Sequence, residues 1–199
     1  MNAKKKEHYK IVITGGPGGG KTTALDLIQR EYKHEVKVVP EAATMLFEHG
    51  LHRETEFQKV KLIQSAIYRM QLNLEDSFHA LNPDRLLLCD RGTLDGLAYW
   101  PNSEESFFKS IQSTSDAEIA RYDAVIFFQT SAATGEDIKS NNPYRLEDAL
   151  AATKLDESLK AVWQRHPNFH YVPTNASFMR KINHGLITIN HVLEKMGKN

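Results

Sequence analysis

The sequence predicts an α/β domain in which a parallel β-sheet is covered by helices on both faces. Two observations point there. Short apolar runs rich in β-branched residues alternate with segments of helical periodicity along the whole chain, and strands joined by helices must run parallel, because a parallel connection needs a crossover. The runs are also continuously apolar rather than alternating, as in VIFF at 125–128 and LLLC at 86–89, which suits strands buried on both faces.

The first run, Tyr9 to Thr14 (YKIVIT), stops at glycines and predicts a buried strand. From Thr22 to Tyr32, Ala24, Leu25, Leu27 and Ile28 recur at helical spacing. Glu35 to Val39 (EVKVV) predicts a second strand, ended by Pro40, and Glu41 to Glu48 a short helix closed by Gly50. Glu54 to Leu81 contains no Gly or Pro and predicts a long helix with an apolar stripe of Leu62, Ile63, Ala66, Ile67, Met70 and Leu74. Arg85 to Cys89 (RLLLC) predicts the third strand, Thr93 to Trp100 a helical turn or short helix ending at Pro101, and Asp123 to Gln129 (DAVIFFQ) the fourth strand. Ser131 to Tyr144 is polar, with Gly135, Asn141, Asn142 and Pro143, and predicts an exposed loop. Leu146 to Arg165 predicts an amphipathic helix, Phe169 to Val172 a fifth strand, and Ala176 to Met196 a closing helix. No repeat, low-complexity stretch or linker interrupts the pattern, so a single domain over 1–199 is expected, with a flexible, lysine-rich start at 1–7.

Bulk composition narrows the function. The chain of 199 residues has 25 Lys plus Arg and 25 Asp plus Glu, a balance that argues against a nucleic-acid partner, which draws a basic excess. The single cysteine, Cys89, rules out an internal disulfide. No apolar run approaches the ~20 residues that span a bilayer, and the polar start carries no secretory signal. A cytoplasmic location is expected.

The sharpest signal is Gly15-Gly16-Pro17-Gly18-Gly19-Gly20-Lys21-Thr22, which matches G-x-x-x-x-G-K-[ST] between a strand and a helix. The chemistry needs these types in this order. Glycines admit positive φ and present backbone N–H groups to a phosphate. Lys21 is placed to bridge the β- and γ-phosphates, and the Thr22 hydroxyl to hold Mg2+. Thr23 continues the first turn of a helix whose positive end faces the anion. Residues 15–23 are therefore the expected binding site of a nucleoside triphosphate, ATP or GTP. The glycines do not fit the G-x-G-x-x-G dinucleotide fingerprint in its required context.

The rest of the chain separates the kinds of phosphate-loop protein. A GTPase switch would show D-x-x-G after a strand, which the sequence lacks, and an N/T-K-x-D base-reading motif in a loop; the T-K-x-D string at Thr153 to Asp156 falls inside a segment of helical periodicity instead. A motor-type ATPase would end a strand in Asp followed by a water-activating Glu. Here the strand RLLLC ends in Asp90-Arg91, which suits phosphoryl transfer: Asp90 to orient magnesium, Arg91 to neutralise charge on the phosphoryl group.

Several segments together, ITGGPGGGKTT, VVPEAA, TEFQ, LLLCDRGTLDGLAYW and PYRLEDA, spread over nearly the whole chain, resemble the P-loop small-molecule kinases. These include the nucleoside and nucleotide kinases and, most closely, the NadR-like (nicotinamide riboside kinase-like) AAA-type ATPase domains. The resemblance implies a three-layer kinase-like P-loop NTPase with a five-stranded parallel sheet in the order 2-3-1-4-5, and the ligand site at the carboxyl ends of the strands. It implies roles as well. Glu41 matches the acid that lies near the acceptor hydroxyl, where a carboxylate could take the hydroxyl proton; the plain alternative is a glutamate at a helix start. Phe57-Gln58 matches a pair whose amide reads a base, against an ordinary exposed helical Gln. Asp95, four residues past Arg91, could contact a substrate ribose or ring, or instead cap the next helix. Residues 131–145 match a lid that closes over the phosphates, making Arg145, and more weakly Lys139, a charge stabiliser. The lid has few basic residues, which favours an uncharged, nucleoside-like acceptor over a nucleotide.

The expected function is thus transfer of the γ-phosphoryl group of ATP to a hydroxyl of a small nucleoside-like acceptor. Two alternatives stay open: a nucleotide-dependent binding or switch protein without kinase activity, and a simple ATPase. His49 and His52 have H-x-x-H spacing without a third ligand. Cys89, Trp100, Phe107 and Phe108 are expected to pack rather than to bind.

Overall fold

Strand β1 (Lys10–Thr14) runs through the centre of the molecule with Ile11, Val12 and Ile13 fully buried. The structure, a computed structural model of the chain, describes residues 9–134, 149–175 and 177–196. After β1 come α1 (Lys21–Glu31), β2 (Val36–Val39), α2 (Ala42–Glu48), α3 (Phe57–Leu81) and β3 (Leu86–Asp90). A 3-10 helix (Thr93–Tyr99), α4 (Glu104–Ile111), α5 (Ser115–Ile119) and β4 (Ala124–Phe128) follow, then a short 3-10 turn (Ser131–Thr134), α6 (Ala149–Trp163), β5 (Phe169–Val172) and α7 (Phe178–Lys195). The strands form one five-stranded sheet in the order β2-β3-β1-β4-β5, with every neighbouring pair parallel. This is the fold the sequence predicts, in the strand order the resemblance implies.

Alternation along β1 divides the core into two layers. Ile11 and Ile13 join Ala24, Leu25 and Ile28 of α1 and Ile189, Val192 and Leu193 of α7 on one face. Val12 points the other way and joins Leu94, Trp100, Phe107, Tyr122, Val162 and Trp163, as the two-residue period of a strand requires. The register sets Ile13 beside Asp90 and Thr14 beside Phe127. The segments leaving β1, β3 and β4 therefore emerge together at one edge of the sheet. That edge carries the site.

Three differences from the sequence reading have physical causes. The apolar stripe read for α3 is only part of its inward face. Ile63 is buried and Ile67, Met70 and Leu74 are half-buried, but Leu62 and Ala66 are exposed, and Gln64, Tyr68, Gln71 and Glu75 are buried as well, because this helix turns polar residues inward beside the apolar ones, several of them along a cavity. The stretch after Pro101, where the sequence pattern marks no element, holds α4 and α5. Each starts from a side-chain cap, Ser103 accepting from the Ser106 N–H and Thr114 from the Ala117 N–H, satisfying donors that a helix start leaves orphaned. The loop expected from Ser131 begins instead with the 3-10 turn, in which Ala132 is buried. The remainder of that stretch, with Lys139 and Arg145, lies outside the described residues. No helix among the described residues is long and apolar enough to cross a membrane.

Candidate functional site

The turn from β1 into α1 is fixed by close approach to β4. Gly15 has φ 127°, and a Cβ there would lie 1.9 Å from the Phe128 carbonyl oxygen, so only glycine fits. Gly15→Ala should cost about 1–3 kcal/mol through backbone strain, with the clash added. Chemical denaturation of the variant checks this; an unchanged midpoint would contradict the loop geometry.

Lys21 opens α1 and is only 4 % exposed. Its ammonium turns back over the loop and donates to the carbonyl oxygens of Gly15 at 2.9 Å and Gly16 at 2.7 Å. Thr22 and Thr23 are exposed beside it on the first turn. Pro17 has no N–H, and the Gly16 N–H donates to the Asp156 carboxylate at 2.6 Å. Neither residue therefore has an amide N–H left to offer an anion. Asp90 ends β3 level with Ile13. A threonine hydroxyl and a carboxylate are the hard oxygen donors that suit Mg2+, which needs few protein ligands once phosphates complete its shell; Thr22 and Asp90 fit that ion.

Next to Asp90, Arg91 adopts a left-handed backbone conformation with φ 76°. A non-glycine residue there is strained, and Arg91 is held by several bonds at once. Its Nε donates to Glu41 at 3.1 Å, and its Nη1 donates both to the Gly15 carbonyl at 2.9 Å and to Asp95 at 3.1 Å. Burial works against the charged guanidinium, but the charges of Tyr99, Glu41, Asp95 and Asp90 outweigh it and push the pKa up. Arg91 is therefore a permanent cation that touches the first residue of the phosphate loop and two carboxylates.

Those carboxylates have different duties. Glu41 stands at the start of α2 without capping it through its side chain; one oxygen takes the Arg91 bond and the other accepts from the Thr44 hydroxyl at 2.6 Å. Asp95 is saturated. Its Oδ1 accepts from Thr14 and Arg91, and its Oδ2 from the Gly92 N–H and the Trp163 indole N–H. A carboxylate has about four acceptor sites, so none is left for a ribose. The cap reading of Asp95 holds: it caps the 3-10 helix and also anchors Arg91.

Glu41, Arg91, Thr93 and Asp95 line a cavity of about 490 Å3, closed by Phe47, Ile63, Ile67, Tyr68 and Tyr99. Gln58 is not in its wall. It is exposed at the start of α3, and six residues at about 100° each set it roughly 120° around the helix from Gln64. Gln64 takes the wall position, lying against Gly96. It is 8 % exposed, and its amide has no hydrogen-bond partner among the described residues. Two turns further along, Gln71 donates from its amide nitrogen to Glu75 at 3.0 Å and to the Arg91 carbonyl at 3.2 Å. With the nitrogen so committed, the Gln71 oxygen has no hydrogen-bond partner among the described residues, and the residue lines the cavity. Glu75 is fully buried, paired with Lys10 at 3.2 Å, and accepts from Tyr122 at 2.8 Å, whose oxygen in turn accepts from the Thr93 N–H. Tyr68 donates to Glu118, and burial followed by that bond raises its pKa to about 12.

Sequence reasoning missed Gln64, Gln71 and Glu75, although their spacing places them on one helix face. It also missed Asp156 on α6 and Lys181 on α7. Lys181 is buried and bonds the Gln129 carbonyl. Burial raises the pKa of Asp156; the bonds from Gly16 and Thr130 and the charges of Lys21 and Lys181 act the other way. Cys89 is buried in the core, and burial pushes its thiol pKa well up.

Comparison with solved structures gives the fold. A deoxyadenosine kinase from M. mycoides is similar with a TM-score of 0.59 and 16% identity, over 92% of this chain and 99% of that one. A thymidylate kinase from Candida albicans is similar with a TM-score of 0.66 and 13% identity, over 96% of this chain and 93% of that one. The three-layer architecture is the P-loop kinase fold. No curated protein matches the sequence. The profile of an AAA domain family matches residues 10–180, most of the chain, and the chain belongs to that family.

Proposed function

We propose that this chain is a kinase that transfers the γ-phosphoryl group of magnesium-bound ATP to a hydroxyl of a small, nucleoside-like acceptor seated in the Glu41–Gln64 cavity. The observation that carries the reading is Arg91, whose guanidinium bonds the Gly15 carbonyl of the phosphate loop while lining the cavity. A nucleotide on the loop and a molecule in the cavity would meet at this cation. The fold shared with deoxyadenosine and thymidylate kinases supports the assignment.

In this scheme the loop amides from Gly18 onward and Lys21 take up the phosphate charge. Magnesium, held through Thr22 and Asp90, supplies further charge neutralisation. Glu41 accepts the proton of the acceptor hydroxyl as the phosphoryl group arrives, and Arg91 holds Glu41 in place and offsets charge at the junction. Arg145, from the segment expected to act as a lid, is proposed to add a further positive charge. Most of the catalysis comes from positioning and preorganised charge.

The cavity wall describes the acceptor. Aromatic and aliphatic groups (Phe47, Tyr68, Tyr99, Ile63 and Ile67) surround two amides, Gln64 with both functions uncommitted and Gln71 with its oxygen unpaired. That environment fits a flat, largely uncharged ring bearing hydrogen-bond donors and acceptors. Gln64→Leu keeps the size and removes the amide. It should raise the acceptor KM about tenfold, in keeping with the loss of one or two bonds, and leave the ATP KM unchanged. An unchanged acceptor KM would remove Gln64 from recognition. The function itself is tested by ADP release from magnesium-ATP over a panel of nucleosides, nicotinamide riboside, nucleotides and small alcohols. Stimulation by one acceptor class supports the kinase. ATP binding with no stimulation by any of them contradicts it and favours a switch.

A further inference from the structure

The phosphate loop is held from its outer side by a strap of three consecutive residues leaving β4, and the strap is tied to the loop by a carboxylate for which the scheme above has no use. Lys181 bonds the Gln129 carbonyl. The Thr130 hydroxyl donates to the Pro17 carbonyl at 2.6 Å, and the Ser131 hydroxyl to the Gly18 carbonyl at 3.1 Å. Asp156 closes the arrangement: its Oδ1 accepts from the Gly16 N–H at 2.6 Å and from the Thr130 N–H at 2.9 Å. Its Oδ2 has no hydrogen-bond partner among the described residues. The side chain is 5 % exposed.

A negative charge is an unexpected choice beside a triphosphate site, since it repels the ligand and is disfavoured by burial. Two buried N–H groups nevertheless need an acceptor here, and the fit leaves no alternative atom. A Cβ on Gly16 would lie 2.7 Å from the Asp156 oxygen and 3.0 Å from Thr130 Cβ. The two lysines whose charges act on Asp156, Lys21 and Lys181, offset its own. Asp156 lies about two turns into α6, the helix that follows the segment expected to close over the nucleotide.

We propose that Asp156 is a positioning residue for the nucleotide: through Oδ1 it fixes the entry of the phosphate loop and ties it to the β4 exit and to α6, so that the amides from Gly18 onward are set for a phosphate before one binds. The proposal rests on reading residues 15–22 as the triphosphate site. It makes the hydrogen-bond acceptor the essential property of Asp156 and the charge dispensable.

The test is the Kd for magnesium-ATP and magnesium-GTP by titration calorimetry, well below the melting temperature, for the wild type, Lys21→Ala, Asp156→Ala, Asp156→Glu and Asp156→Asn. Asp156→Ala should weaken binding about tenfold through loss of the acceptor. Asp156→Glu, whose oxygen is displaced by a methylene, should weaken it similarly and carries the comparison if the alanine variant does not fold. Asp156→Asn retains an oxygen for both N–H groups and should restore the Kd to within about twofold. A stabilising role alone would lower the melting temperature and leave the Kd of the folded variants unchanged, which would overturn the proposal. So would Asp156→Asn losing as much affinity as Asp156→Ala. Failure of the wild type itself to bind either nucleotide would overturn the triphosphate-site reading, and the role of Asp156 with it.

Discussion

Replacing Lys21 with alanine should raise the Kd for magnesium-ATP by about a hundredfold or more. The ammonium now donates to two loop carbonyls, those of Gly15 and Gly16, and is nearly buried. A triphosphate offers it charged acceptors instead, and charge-assisted bonds contribute about 1.5–3 kcal/mol each. Losing both therefore removes roughly 3 kcal/mol or more, which is the hundredfold. The fold should survive, because the strands and both core layers are untouched; circular dichroism checks that, and calorimetry or fluorescent-nucleotide displacement reads the Kd. Wild-type affinity in this variant would mean that the nucleotide does not sit on the loop.

Arg91→Ala should damage stability and turnover together. The guanidinium neutralises Glu41 and Asp95 in a largely buried setting. Breaking a buried ion pair from one side costs about 3–5 kcal/mol because the partner charge stays buried. An alanine in the same left-handed backbone conformation stays strained, so no relief of strain offsets that loss. In the proposed mechanism kcat should also fall about a hundredfold or more, the scale for removing one preorganised charge. Arg91→Lys separates the two effects. It keeps a cation near Glu41 yet lacks the fork that reaches Glu41, Asp95 and Gly15 at once, so it should recover more stability than turnover. Denaturant melts and acceptor-dependent kinetics on the pair of variants give both numbers. Full activity in a folded Arg91→Ala protein would exclude Arg91 from catalysis.

What could be read from the sequence divides by range. The phosphate loop was legible because its requirements are local: glycine where φ is positive or a carbonyl presses close, then Lys and Thr at the start of a helix. That Asp90-Arg91 closes a strand was legible for the same reason, from the apolar run before it. The sheet was legible as parallel from the alternation of elements, whereas the order of its strands came from resemblance and is confirmed by the pairing. Glu41, Arg91 and Asp95 were each singled out, but their union in one charge cluster depends on α2, β3 and the 3-10 helix meeting in space. Saturation of Asp95 by Thr14, Gly92, Arg91 and Trp163 is equally a tertiary fact. The width of the buried face of α3 was misjudged because apolar residues ordinarily mark it. Beside Ile63, that face also carries Gln64, Gln71 and Glu75, and Gln58 falls on the solvent side. Asp156 could not have been found, since an acid in an amphipathic helix reads as a solvent-facing residue until the loop amide it satisfies is in view.

The most direct test of the account follows the fate of the γ-phosphoryl group. With magnesium-ATP and a stimulating acceptor, phosphorus NMR should show a phosphate monoester of the acceptor growing in step with ADP, with little inorganic phosphate, and neither product with the Lys21→Ala protein. ADP accompanied only by inorganic phosphate, whatever acceptor is present, would contradict the kinase assignment and make the chain an ATPase.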